Sequence, residues 1–140
     1  GKHRHTPEIE QSLSRFADSP VRITFVPHLL PVNRGIVSTV YAEKKDGFSI
    51  EEIHGVYAKT YENEHFVRVL PLGDTANLRN VKMSNFCDIS LHEDEHTSKL
   101  IIVSAIDNIV KGAAGQAVQN MNIALGLEET AGIDFVPPAI

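Results

Sequence analysis

The chain has 140 residues, about one domain's worth, of which 42% are hydrophobic and 22% charged, enough for a core in a water-compatible fold. Its net charge of −5 excludes a general binder of nucleic acid, which needs clustered Lys and Arg. No run of about 18 apolar residues is present to span a membrane. One cysteine, Cys87, excludes an internal disulfide and fits a reducing, cytoplasmic setting.

The first residues, Gly1-Lys2-His3-Arg4-His5, run straight into a helix start with no initiator Met, as expected at a fragment boundary. Thr6-Pro7-Glu8 reads as that start, with Thr6 as N-cap and Pro7 at the first helical position. Ile9, Leu13 and Phe16 recur at helical spacing until Asp18-Ser19-Pro20. Alternation from Arg22 to Val26 predicts a strand, and Pro27 to Asn33 a loop. Gly35 to Glu43 is the clearest strand. Ser49 and Glu52 form a capping-box pattern for a helix striped by Ile50, Ile53, Val56 and Tyr57. A strand over His65 to Leu70 and an irregular loop over Pro71 to Lys82 follow. Phe86 to His92 and Lys99 to Ser104 form a hairpin. A long helix, capped by Asp107, is expected from Asn108 to Leu125, stopped by Gly126. Its apolar face is Ile109, Val110, Ala113, Ala114, Ala117, Val118, Met121 and Leu125. Pro137-Pro138 implies an extended tail. The fold class expected is α+β, with a mixed, largely antiparallel sheet and helices packed on one face.

Four places could carry chemistry. His3 and His5 flank Arg4 at a helix N-terminus, with Glu8 one turn on. Imidazoles supply acid–base groups near neutral pH, and free helix N–H groups favour anions. The same residues also read as a solvated terminus, and no third ligand at a recognisable spacing suggests a metal. Arg34, between a loop and a strand, could grip a phosphate or carboxylate, or be an ordinary surface arginine. Cys87 shares a strand face with Ile89 and Leu91, so it reads as an inert buried thiol. Gly112 and Gly115 each cost about 1 kcal/mol in a helix interior, so something large is expected to approach there closely.

Three segments, taken together, resemble N-acetyl-γ-glutamyl-phosphate reductases. They are His3-Arg4-His5-Thr6-Pro7-Glu8-Ile9, Pro27-His28-Leu29-Leu30-Pro31-Val32-Asn33-Arg34-Gly35, and the helix from Ser104 to Asn122. Ser84-Asn85-Phe86-Cys87-Asp88-Ile89 is a weaker fourth match. The resemblance implies residues 1–140 as one C-terminal substrate-binding and dimerisation domain, like that of glyceraldehyde-3-phosphate dehydrogenase, without its NADP-binding half. It implies a cytoplasmic, NADPH-dependent reduction of an acyl phosphate to a semialdehyde in arginine biosynthesis. It also implies that this chain alone is inactive, since the glycine-rich fingerprint and the family's nucleophilic cysteine do not occur in it.

By the same resemblance His5 or His3 handles the proton, with His5 slightly favoured, and Glu8 orients a histidine. Arg4 and Arg34 contact anionic substrate groups, and Asn108 touches the nicotinamide amide. The expected partners are a small-molecule substrate and further copies of the chain, as dimer or tetramer. The competing reading is a non-catalytic homodimeric interaction module that uses the small-residue helix.

Overall fold

Local signals set most of the elements. The computed structural model describes residues 3–137, so the expected extended tail at Pro138 lies outside the described residues. They fall into two compact units, Gly1–Val32 and Asn33–Ile140.

The first unit holds α1 (His5–Ala17). The helix starts one residue before the expected cap. Arg4 occupies the N-cap position with helical dihedrals and no side-chain cap, so Thr6 is inside the helix. The capping falls to His3: its carbonyl accepts from Thr6 N (3.0 Å) and its Nδ1 from His5 N (3.3 Å). Two first-turn N–H groups are thereby satisfied, and Pro7, now third in the helix, still lacks only an N–H that no helical carbonyl would accept. Asp18 ends the helix in the left-handed region (φ 50°).

The strand expected at Arg22 to Val26 does not form. The segment is extended, with Val21, Ile23 and Phe25 half-buried and their neighbours exposed, so the alternation is real. Side chains of α1 take its polar groups instead of a neighbouring strand. Ser14 Oγ accepts from Val21 N, and Glu10 accepts from Ile23 N (3.1 Å) and from Arg22 Nη1 (2.7 Å).

The second unit is a four-stranded sheet, β1 (Ile36–Glu43), β2 (Val67–Val69), β3 (Cys87–Asp94) and β4 (Lys99–Ile106), in the order β1-β4-β3-β2. β4 is antiparallel to β1 and β3, while β2 is parallel to β3. The hairpin turn is fixed by Asp94, whose carboxylate accepts from His96 N and Thr97 Oγ1. β2 is shorter than expected because His65 and Phe66 lie in a turn. α2 (Ile50–Thr60) carries the capping box, with Ser49 Oγ accepting from Glu52 N and Glu52 Oε2 from Ser49 N. Of its stripe, Ile50, Ile53 and Tyr57 are half-buried and Val56 is exposed.

Both faces of β3 are buried. Cys87, Ile89 and Leu91 share one face, but Asp88 and Ser90 on the other are fully buried as well. The loop between β2 and β3 covers that polar face. Its Ala76 and Val81 pack with Ala105, and Ser90 Oγ accepts from Ala76 N while Asp88 accepts from Arg68 Nε. Ser90 Oγ and Asp88 Oδ1, so paired, escape the desolvation cost of unpaired groups, while Asp88 Oδ2 is buried without a hydrogen-bond partner among the described residues. β1 differs: Ile36, Val37, Val40 and Tyr41 are exposed apolar residues on both of its faces.

The long helix is broken into a π-helical turn (Val110–Ala114) and α3 (Gly115–Ala124). Asp107 caps it as expected, accepting from Ile109 N and Val110 N at 2.8 Å each. The expected apolar face is not the buried one. Ala113, Ala117, Met121 and Leu125 are exposed, and Gly115, Gln119 and Asn122 are buried. Two causes combine. The π turn's wider 5-residue bonding (Gly112 N to Asp107 O, Ala114 N to Ile109 O) shifts the downstream helix face. The inward amides also find partners: Gln119 with Asn85, Lys111 and Glu129, and Asn122 with the carbonyls of Glu129 and Ala131. Gly115 admits Asn85, whose Oδ1 would lie 2.5 Å from any Cβ there, whereas a Cβ at Gly112 meets nothing nearer than 3.4 Å. The close approach expected at both glycines therefore occurs at one. Gly126 closes α3 at φ 68°.

Candidate functional site

In the first unit the residues of chemical interest crowd the first turn of α1. The His3 and His5 rings meet edge-on at 4.9 Å between centroids, and His3 meets Phe25 at 5.2 Å. His3 is half-buried, and with Nδ1 accepting the His5 amide its neutral form carries the proton on Nε2. His5 is exposed. It lines a shallow open depression with Glu8, Ile9, Ser12 and Leu13, so His5 and Glu8 share one helix face. No hydrogen bond joins Glu8 to either histidine. Arg4 is exposed at the N-cap.

In the second unit a different set converges where the β1–β4 ladder ends. Ile36 pairs with Ile106, so the residues just before β1 meet those just after β4. Arg34 donates from Nε to Asp107 Oδ2, and Gly35 N donates to Asn108 Oδ1 at 2.7 Å. Asp107 is fully buried, and Arg34's side chain is 23% exposed. The carboxylate also accepts from Met83 N (2.6 Å) and from the two helix amides. Burial pushes the Asp107 carboxyl up, but the Arg34 guanidinium and the N–H groups of Met83, Val110 and Ile109 outweigh it and hold the group below the usual value. Gly35 has φ +113°, and a Cβ there would overlap the side chain of Leu78, so only glycine lets the chain enter this corner.

The structure thus joins the expected anion contact Arg34 to the expected cofactor contact Asn108. Asp107 holds Arg34 there and Gly35 N holds the Asn108 side chain, pairings that the reading of Asp107 as a helix cap did not reveal. Contacts between residues 73 positions apart leave no trace in spacing.

Cys87 is half-buried. Burial pushes its thiol up, against the pull of Lys111, which disfavours the nucleophilic thiolate. Among the described residues no group of three or more His, Cys, Asp and Glu stands together to hold a metal, and no helix is long and apolar enough to cross a membrane.

The chain offers one candidate contact to a nicotinamide carboxamide, Asn108, and no candidate cradle for a dinucleotide's phosphates. Asn108 has its Oδ1 occupied and a donor Nδ2 left, the chemistry that a carboxamide oxygen needs. The sequence contains no glycine-rich strand-to-helix turn to cradle the phosphates.

Residues 1–108 match the family of the semialdehyde dehydrogenase dimerisation domain. The N-acetyl-gamma-glutamyl-phosphate reductase of Brachyspira hyodysenteriae is 61% identical over 99% of the chain. The reductase of the same name from Clostridium beijerinckii is 56% identical over 99%, and that of Geobacter metallireducens 56% over 98%. The chain spans about 40% of the length of each. The fold resembles the crystal structure of aspartate semialdehyde dehydrogenase II from Vibrio cholerae, with a TM-score of 0.63 and 18% identity, covering 90% of this chain and 38% of that one. The chain therefore belongs to the semialdehyde dehydrogenase dimerisation-domain family.

Proposed function

We propose that this chain is the substrate-binding and self-associating part of an NADPH-dependent N-acetyl-γ-glutamyl-phosphate reductase, which forms N-acetylglutamate semialdehyde and phosphate in arginine biosynthesis. The observation that carries the reading is the 61% identity, across nearly the whole chain, to a protein of that name.

NADPH, when bound, supplies the hydride. The chain's own residues do the rest of what is assigned to them. His5 exchanges a proton with the reacting acyl group. Its exposure beside Glu8 supports it over His3, whose Nδ1 is committed to a backbone amide. Glu8, on the same helix face, orients the His5 ring. Arg4 at the helix start and Arg34 beside β1 meet anionic groups of the substrate through their guanidinium donors. Asn108 Nδ2 donates to the nicotinamide carboxamide. Cys87 takes no covalent part.

Self-association is supported by the matched family's description and by the exposed apolar residues of β1, an edge strand whose uncovered surface a second copy would bury. Light scattering at micromolar concentrations is expected to give at least twice 15.4 kDa. The activity is tested with the full-length protein, N-acetyl-γ-glutamyl phosphate and NADPH. Phosphate-releasing turnover is expected, and its absence, with aspartyl phosphate turned over instead, would refute the assignment.

A further inference from the structure

We infer that Asp107 is a positioning residue for the reductase, fixing Arg34 and Asn108 together so that each presents its remaining donors to its ligand. This inference rests on the functional reading above.

The geometry gives Asp107 two jobs on its two oxygens. Oδ2 takes the Nε–H of Arg34 and the amide of Met83. Oδ1 takes the amides of Ile109 and Val110. A guanidinium held by its Nε edge cannot spin about its own bond, and its two Nη groups keep their outward donors. Among the described residues Arg34 makes no other side-chain bond, so those donors are uncommitted. On the second oxygen, the capped amides fix the backbone that follows Asn108, while Gly35 N fixes the Asn108 side chain from the opposite strand. One buried carboxylate thus sets both an anion-gripping fork and a carboxamide donor. Met83 adopts the left-handed region (φ 62°) with its amide on Asp107. Such backbone costs energy in a non-glycine residue and persists where surrounding contacts determine it.

A merely structural aspartate would make a different prediction. Its loss would harm the enzyme whether or not Arg34 is present. A positioning aspartate acts through Arg34, so its loss matters little once the arginine is gone.

The test is a double-mutant cycle in the full-length enzyme with Asp107→Asn and Arg34→Ala, following kcat, the KM for the acyl phosphate and the KM for NADPH. Asparagine keeps the size and its one oxygen can still accept the Ile109 and Val110 amides, but its NH2 cannot accept from Met83 N or Arg34 Nε and it loses the charge that holds Arg34. Asp107→Asn is expected to cost about 10²-fold in kcat/KM, mainly through KM for the acyl phosphate, as misplacement of a binding group does. In the Arg34→Ala background the same change is expected to cost less than about threefold. Asp107→Glu, with the charge kept and displaced by one methylene, is expected to fall between. Equal losses in both backgrounds would overturn the inference, as would failure of both Asp107 variants to fold. A wild-type enzyme inactive on the acyl phosphate would refute the functional reading itself; an active one with additive losses would refute the role of Asp107 alone.

Discussion

The histidine turn and the Arg34–Asp107 corner solve the same problem by different means. Within the turn, the hydrogen bonds that fix His3 and His5 run over a few residues: the His3 imidazole accepts the His5 amide and the His3 carbonyl accepts the Thr6 amide, while Phe25 adds a more distant ring contact to His3. In the corner, the Ile109 and Val110 amides on Asp107 are local, but the other contacts cross from one sequence region to another, with partners 73 positions apart for Arg34 and Gly35 and 24 for Met83. The turn is made by local geometry and leaves His5 in solvent. The corner depends on the sheet being complete and buries its central charge. Chemistry that needs proton exchange with water suits the first. Fixed recognition of a charged ligand suits the second, where low local dielectric strengthens each bond and raises the cost of losing one.

That difference can be broken most forcefully at Arg34. Arg34→Ala leaves the buried Asp107 charge with amides alone, and a lost hydrogen bond to a charged group is worth roughly 1.5–3 kcal/mol. Denaturant unfolding is expected to show a loss of about 2 kcal/mol. The sign with pH follows from the lowered Asp107 value. The group contributes stability that is full above the ordinary aspartate pKa of about 3.9 and is lost as pH falls through the depressed folded value. Wild type and Asp107→Asn are therefore expected to differ most at neutral pH and to converge on acidification below about pH 4. A gap that stays constant into acid would contradict the pairing. In the histidine turn, by contrast, His5→Asn should leave stability within about 0.5 kcal/mol, since the side chain is exposed.

A smaller effect sharpens the comparison inside the second unit. Gly115→Ala forces a methyl onto Asn85 Oδ1 and the Val110 carbonyl, and is expected to cost about 1–3 kcal/mol by overpacking. Gly112→Ala has room and is expected to be neutral or stabilising, by up to about 1 kcal/mol from helix propensity. Thermal melts of the two variants with the same direction and size of shift would refute the packing described.

Smallest of all is Cys87→Ala, which removes a half-buried thiol. It is expected to cost on the order of 1 kcal/mol and to leave full-length activity intact. Loss of turnover with an unchanged melt would restore the thiol to the chemistry.

Sequence reading captured what local bonding decides. The capping box at Ser49, the Asp107 cap, the Gly126 stop and the β3–β4 hairpin are each written in a few adjacent residues. Two of the misreadings, at Arg22 to Val26 and on α3, have a cause in common, which is that side-chain partners outside the segment won. At Arg22 to Val26 the alternation was sound, yet Glu10 and Ser14 took the amides a neighbouring strand would have used. On α3 the apolar face was counted correctly for an α-helix, but a π turn and buried partners for Gln119 and Asn122 put the amides inside. Thr6 yielded its capping role to His3, a residue type outside the usual capping set. The candidate residues themselves were legible as types, while the bonds that bring Arg34 and Asn108 to one corner were visible only once β1 and β4 were paired.

The central claim is that the turn handles the proton and the corner holds the charged substrate. It is tested most directly by measuring kcat and KM separately for His5→Asn and Arg34→Lys in the full-length enzyme. The account predicts a kcat lowered about 10²–10⁴-fold for His5→Asn with KM nearly unchanged. It predicts the reverse for Arg34→Lys, whose ammonium keeps the charge but loses the Nε edge: a raised KM for the acyl phosphate with kcat changed far less. The opposite assignment, with His5→Asn acting on KM and Arg34→Lys on kcat, would contradict it.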